Sequence, residues 1–284
     1  MSLKTPRILL TGSTGLLAPY LGLEGEKHGA VLTSSRSGGD FVADLVNLSE
    51  VRTLIQWARP DWVVHAGAMT DVDKCERDPD RAFKNNTSAV SNLITALPRA
   101  AHLIYISTDQ VYPAISGPHK EEATGPVNIY GMSKLRGEGE AKKHERTTIL
   151  RTSFFGRSLT PGRVSLDDFM SNHFLKNEKF VLFSDVQFSP LHMTTLSNLI
   201  FLILRRGVTG SFNLGSLDGL SKADFGLALA RRLGVTQGNV IIGESSEIPG
   251  RAPRPKDLRL NSDKIQQTLR IQLPKLTDEI CRII

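Results

Sequence analysis

Two cysteines, Cys75 and Cys281, stand far apart in a chain of 284 residues. That spacing excludes a disulfide framework and points to a reducing compartment, the cytoplasm. Long apolar runs are missing too, since none approaches the ~20 residues that cross a bilayer. The opening "MSLKTPR" passes directly into "ILLTG", an apolar stretch too short for a signal peptide, which reads as a strand. No membrane role is expected. Seven histidines are scattered without metal-ligand spacing, so no protein-held metal is expected either. The formal charge is +6, but lysines and arginines alternate with acids and aromatics are only 6%. That texture argues against a nucleic-acid partner. The densest basic stretch, "RAPRPKDLR" (251–259), is too short for a duplex and suits one diphosphate.

What the chain does have is alternation. Short apolar strands are expected at 7–12, 30–35, 62–68, 102–108 and 147–153. Helices are expected between them at 15–28, 49–59, 78–97 and 129–145. Strand centres that are apolar almost throughout mean a parallel sheet covered on both faces, an α/β fold. After about 155 the rhythm loosens, with helices expected near 166–177, 194–206, 221–233 and 276–283. Short strands are expected near 180–183, 210–214 and 239–243, and a Pro/Arg-rich loop at 249–255. The change suggests a dinucleotide-binding domain over 1–153 and a smaller lobe over 154–284, some of which returns to the first domain.

"TGSTGLLA" (11–18) follows the first strand and opens the first helix. Gly12 and Gly15 let the backbone approach a pyrophosphate, and Ala18 sits where a third glycine is common. An acid at the end of the second strand would bind a ribose 2′-hydroxyl and repel a 2′-phosphate. Here Ser34, Ser35 and Arg36 stand there instead, favouring NADP(H) over NAD(H). Asp44 and Leu45 are placed by position for the adenine.

"NIYGMSK" (128–134) sets Tyr130 and Lys134 one helical turn apart. An ammonium ~6 Å from a phenol, at an effective dielectric of ~20, favours the phenolate by ~3 kcal/mol, or about two pH units. Lys134 is therefore expected to acidify Tyr130 into a proton donor. The fourth strand ends in "ISTDQVY" (106–112), which puts Ser107, Thr108 and Asp109 beyond the strand's carboxyl end, where ligands bind in such sheets.

Together these segments resemble an extended short-chain dehydrogenase/reductase, most closely the dTDP-4-dehydrorhamnose reductase group. The resemblance also runs through "PDWVVHAGAMTDVDKCERDP" (60–79), "EEATGPVNIYGMSKLRGE" (121–138), "ILRTSFFG" (149–156), "FSDVQFSPLHMTTLSNLI" (183–200) and "RPKDLRL" (254–260). It implies a Rossmann-like doubly wound parallel sheet with a smaller C-terminal substrate-binding lobe. It implies NADPH-dependent reduction of the 4-keto group of a nucleotide-linked deoxysugar. Thr108, Tyr130 and Lys134 become the catalytic trio, with Tyr130 the proton donor and Lys134 also holding the nicotinamide ribose. Gly12, Gly15, Leu16, Leu17, Asp44, Leu45, Ala66, Gly67 and Ala68 fall at cofactor positions, joining the Ser35 and Arg36 already read after the second strand. Val72, Thr108, Asp109 and Phe154 fall where a nucleotide sugar would lie, and the basic Arg251 and Arg254, read from the residues themselves, are expected to clamp the substrate diphosphate. A homodimer is left open.

The chain departs from the group in places. Phe154 stands where tryptophan is common, His65 where asparagine is usual, and Gln110 where tyrosine or phenylalanine is expected. Asn86 aligns with an asparagine that kinks a helix near the catalytic lysine. His65 reads as a satisfied, partly buried histidine, and Cys75 as a structural thiol. Related 4,6-dehydratases carry a glutamate after the aspartate, and the Gln110 amide cannot take up a proton in its place. A nucleotide-sugar epimerase and a non-catalytic dinucleotide-binding regulatory subunit stay open as alternatives.

Overall fold

The computed structural model describes residues 5–235, 239–247 and 250–283. The expected loop at 249–255 lies partly outside them, since Pro249 is not among the described residues.

The first half alternates as expected: β1 (Arg7–Thr11), α1 (Ala18–Gly25), β2 (Ala30–Ser35), β3 (Phe41–Val42), α2 (Leu48–Ala58) and β4 (Trp62–His65). Then come α3 (Val72–Arg77), α4 (Pro79–Phe83), a π-helical turn (Lys84–Ser88), α5 (Ala89–Ala96), β5 (His102–Thr108), α6 (Ile129–Ala141) and β6 (Thr147–Thr152). The second half contributes β7 (Phe154–Phe155), α7 (Leu166–Leu175), β8 (Phe180–Phe183), β9 (Gln187–Phe188), β10 (Leu191–His192) and α8 (Met193–Arg206). It closes with β11 (Gly210–Asn213), β12 (Leu220–Ser221), α9 (Lys222–Leu233), β13 (Val240–Gly243), β14 (Asp257–Leu258), α10 (Asp263–Leu269) and α11 (Leu276–Ile280).

Seven strands form one sheet in the order β11-β6-β5-β4-β1-β2-β3. All its pairings are parallel. This is the Rossmann-like doubly wound sheet. The chain winds outward one way through β2 and β3 and the other way through β4, β5 and β6. The crevice therefore opens where direction reverses, past the carboxyl ends of β1 and β4. Apolar layers cover both faces, one centred on α8 (Leu196, Ile200, Phe201) and one on α2 and α5 (Val51, Leu54, Leu93). The central strand β5 is buried at every residue.

Two expected helices differ. The stretch from Gly15 shortens to α1 because Pro19 fits only a helix's first turn. The single helix expected over 78–97 is broken by the π-helical turn, which carries the Asn86 side chain onto the backbone of Met69. Strand β11, expected in the smaller lobe, lies beside β6 in the main sheet.

The second lobe packs α7, α9 and α11 on three small sheets. Its core is a chain of phenylalanines, with Phe225 edge-on to Phe155 at 5.0 Å and tilted against Phe188 at 5.4 Å.

Candidate active site

A cleft of about 580 Å³ runs along the carboxyl ends of β1, β2, β4 and β5, a size that suits a small-molecule ligand. Every residue expected at a cofactor position lines it: Gly12, Gly15, Leu16 and Leu17 on the first turn, Ser35 and Arg36 after β2, Asp44 and Leu45 after β3, Ala66, Gly67 and Ala68 after β4. Tyr130 and Lys134 line it from α6, Thr108 and Asp109 from the end of β5, and Phe154 from the start of β7. Val72 and Arg254 stand apart from it. Val72 packs with Met69 and Ile129 around Cys75 and Tyr130.

The first turn is shaped for close approach. Gly12 has φ +83°, and a Cβ there would lie 2.5 Å from the amide nitrogen of Gly67. Only glycine allows β1 and β4 to meet so tightly at their ends. The amides of Leu16 and Leu17, at the entrance to α1, donate to no group among the described residues. Free amides at a helix N-terminus beside small residues fit a dinucleotide's diphosphate. At the far end, the carboxylate of Asp40 turns back onto the amide and hydroxyl of Thr33, at 2.9 and 2.8 Å. Arg36 crosses the mouth of the cleft, its Nη1 donating to Asn85 Oδ1 at 3.0 Å. The residues present thus fit a 2′-phosphorylated dinucleotide.

The reacting end is enclosed. Asn128 caps α6 by accepting the Gly131 amide at 2.8 Å. Its own amide donates to Gln110 Oε1 at 3.1 Å and to the Pro253 carbonyl at 2.9 Å. Gly131 is required, because a Cβ would stand 2.1 Å from the Gln110 carbonyl. So seated, α6 brings Tyr130 to the same cleft wall as Thr108. Burial pushes the Tyr130 pKa up, with Thr108 opposing and Asp109 and Cys75 adding.

The expectation that Lys134 acidifies Tyr130 is not met. The Lys134 ammonium donates to the Ile106 carbonyl at 2.8 Å and lies 4.1 Å above the Tyr105 ring. Those partners hold it against β5. Burial pulls its own pKa to about 7, with Glu138 one turn on opposing the fall. Glu138 is missing from the sequence reading, though it sits at the i+4 position after Lys134. Its carboxylate accepts from Ser107 Oγ at 2.6 Å and from Arg151 Nε and Nη2 at 2.9 and 2.7 Å. Arg151 continues to the Tyr112 hydroxyl at 3.0 Å.

His65 is buried and shares a 2.6 Å hydrogen bond between Nδ1 and Thr11 Oγ1. Burial, then the charge of Lys134, pull its pKa to about 3, so it stays neutral. Its Nε2 has no partner among the described residues, so the histidine is only half satisfied. Asn86 is buried and holds Met69 at both ends, accepting its amide at 2.8 Å and donating to its carbonyl at 3.0 Å. It also donates to Ser133 Oγ at 2.9 Å, which ties the π-helical turn to α6. Burial lifts the Cys75 thiol to about 11, with Asp71 and Glu76 adding, as suits an inert structural group.

On the substrate side, Asp109 is buried and its pKa raised by burial, with Ser153 and Lys222 opposing. The Arg254 guanidinium grips Asp73 through two bonds of 2.8 and 3.1 Å. Arg251 lies 5.0 Å from the Phe183 ring centre. Lys222, at the start of α9, was missed by sequence reading because an isolated lysine carries no pattern.

Comparison with known proteins fits this geometry. The RmlD substrate binding domain family matches residues 6–284. The chain belongs to that family. A dTDP-4-dehydrorhamnose reductase of Sinorhizobium fredii is 29% identical over 296 residues, 98% of this chain and 96% of its own. The methionine adenosyltransferase 2 subunit beta of Rattus norvegicus is 26% identical, over 94% of this chain and 83% of its own. Among solved structures, the dTDP-4-dehydrorhamnose reductase of Bacillus anthracis in complex with NADP superposes with a TM-score of 0.91. It covers 98% of both chains at 24% identity, a likeness of fold. Within the RmlD family fold, no described helix is long and apolar enough to cross a membrane.

Proposed function

We propose that this protein reduces the 4-keto group of a nucleotide-linked deoxysugar with NADPH, as a dTDP-4-dehydrorhamnose reductase does. The observation that carries this is that Thr108, Tyr130 and Lys134 line the same cleft as the residues expected at cofactor positions. Bound NADPH would supply a hydride to the carbonyl carbon. Thr108 and Tyr130 donate hydrogen bonds to the carbonyl oxygen, and Tyr130 gives it a proton. A phenol stays protonated near neutral pH, the form a donor needs. Lys134 lines the cleft beside them and would hold the nicotinamide ribose. The cofactor belongs to residues 1–153 and the substrate mainly to 154–284, with β11 and α8 returning to the sheet. Two free cysteines, Cys75 and Cys281, support a cytoplasmic site of action.

Gln110 supports reduction over dehydration. Its amide is held by Asn128 and has no basic oxygen to take a sugar proton. The test is to incubate the protein with NADPH and a dTDP-4-keto-6-deoxyhexose. NADPH should be consumed as a product two hydrogens heavier appears in the mass spectrum. NADPH that raises the melting temperature without ever being oxidised would sink the reductase reading and favour a regulatory subunit.

A further inference from the structure

We infer that Arg163, reaching over from the second lobe, is a ligand of the diphosphate of the bound dinucleotide. The inference rests on the reading of the cleft as an NADP(H) site. Residues 157–164, between β7 and α7, form a strap across the first turn. Tyr20 Oη donates to the Arg157 carbonyl at 2.6 Å, Thr160 Oγ1 to the Gly15 carbonyl at 3.0 Å, and Arg163 Nε to the Thr14 carbonyl at 3.2 Å. The far end of the strap is fixed as well. Ser165 and Asp168 form a capping box on α7, and Asp168 also accepts the Ser158 amide at 2.8 Å.

These bonds occupy carbonyls of the first turn and leave the Leu16 and Leu17 amides facing a ligand. The guanidinium of Arg163 lines the cleft, and its two terminal amino groups have no partner among the described residues. Three lysine and arginine side chains line this cleft, each at a different station. Lys134 serves the reacting end and Arg36 the end of β2. Arg163 sits against Thr14, next to Gly15 in the first turn, where the diphosphate must pass.

The sequence supplies a reason for an added cation there. Pro19 occupies the first turn of α1 and has no N–H, so the helix offers one amide fewer to an anion. A guanidinium fixed by one nitrogen and free at two others replaces that donor and adds charge.

The probes are NADPH and adenosine 2′-monophosphate, which carries the adenosine and 2′-phosphate but no diphosphate. Titration should show Arg163→Ala weakening NADPH by about ten- to a hundredfold, the worth of one charge-assisted phosphate contact. Adenosine 2′-monophosphate should bind that variant as it binds wild type. Arg36→Ala should weaken both. Arg163→Gln keeps a donor for Thr14 without the charge, and should lose most of the same affinity with an unchanged melting temperature. NADPH bound by Arg163→Ala within twofold of wild type would overturn the inference. So would an equal loss for both probes, which would place Arg163 at the 2′-phosphate. Wild-type protein that fails to bind NADPH would overturn the cofactor reading itself.

Discussion

The two ends of the cleft are built by opposite means. At the reacting end Ser107, Lys134, Glu138 and Arg151 are each at most 4% exposed. Every polar group named there has a partner inside the protein: Lys134 on Ile106, Ser107 and Arg151 on Glu138, Tyr112 on Asn213. At the other end Arg36 is exposed and makes one side-chain bond, to Asn85. Folding itself sets the geometry of the first end. At the second, folding fixes only the bond to Asn85. Substitutions at the reacting end should therefore act on chemistry or on stability, and those at the open end on affinity alone.

The largest effect tests the chemistry. Tyr130→Phe removes one hydroxyl and keeps the ring in its packed place. Turnover of NADPH with a 4-keto sugar nucleotide should fall by ~10²–10⁴, the usual contribution of a positioned acid. Stability to urea should change by no more than about 1 kcal/mol, the net worth of one hydrogen bond. If the variant instead melts early and turns over normally per folded molecule, the tyrosine is a packing residue and the comparison fails at its enclosed end.

Next comes the ion pair behind Lys134. Arg151→Met would leave the Glu138 carboxylate buried without its cation, which typically costs about 3–5 kcal/mol. Urea unfolding should show that loss. The double variant Arg151→Met/Glu138→Gln, with no charge left to bury, should recover a large part of it. A double variant as unstable as the single would place the cost in the lost side-chain volume of Arg151, not in the charge.

The same contrast explains what could be read from the chain beforehand. Strands β2, β5 and β8 carry their pattern in consecutive residues, and their expected and observed bounds coincide. The glycine turn and the Tyr130–Lys134 spacing are local as well, and the residues expected at cofactor positions all line one cleft. Two-residue strands such as β9 and β12 are too short to hold any period, so they were not foreseen. The π-helical turn depends on the Asn86 side chain reaching Met69 and Ser133, contacts no helical period encodes. Tyr130 illustrates the limit most clearly. Sequence spacing places an ammonium one turn away but says nothing of the Ile106 carbonyl and Tyr105 ring that claim it. Arg163 and Lys222 needed the fold, because each reaches its station from the far half of the chain.

The smallest effect belongs to the open end. Arg36 should favour NADPH over NADH through the 2′-phosphate, since Ser34 and Ser35 replace an acid and Asp40 is turned onto Thr33. Arg36→Ala should weaken NADPH by about tenfold, toward the low end for a charge-assisted contact because the residue is exposed. NADH affinity should stay the same, so the preference narrows without reversing. Raising the salt should shrink the wild-type preference too, since exposed charges are screened beyond ~8 Å at physiological ionic strength. The Arg36→Ala variant, having lost that charge, should respond less. Titrating both cofactors against both proteins at two salt concentrations measures all of this in one experiment. Equal affinity of wild type for NADH and NADPH would remove Arg36 from recognition. A salt-independent preference would mean the phosphate is gripped in a buried site, and that the two ends of the cleft are more alike than their exposure suggests.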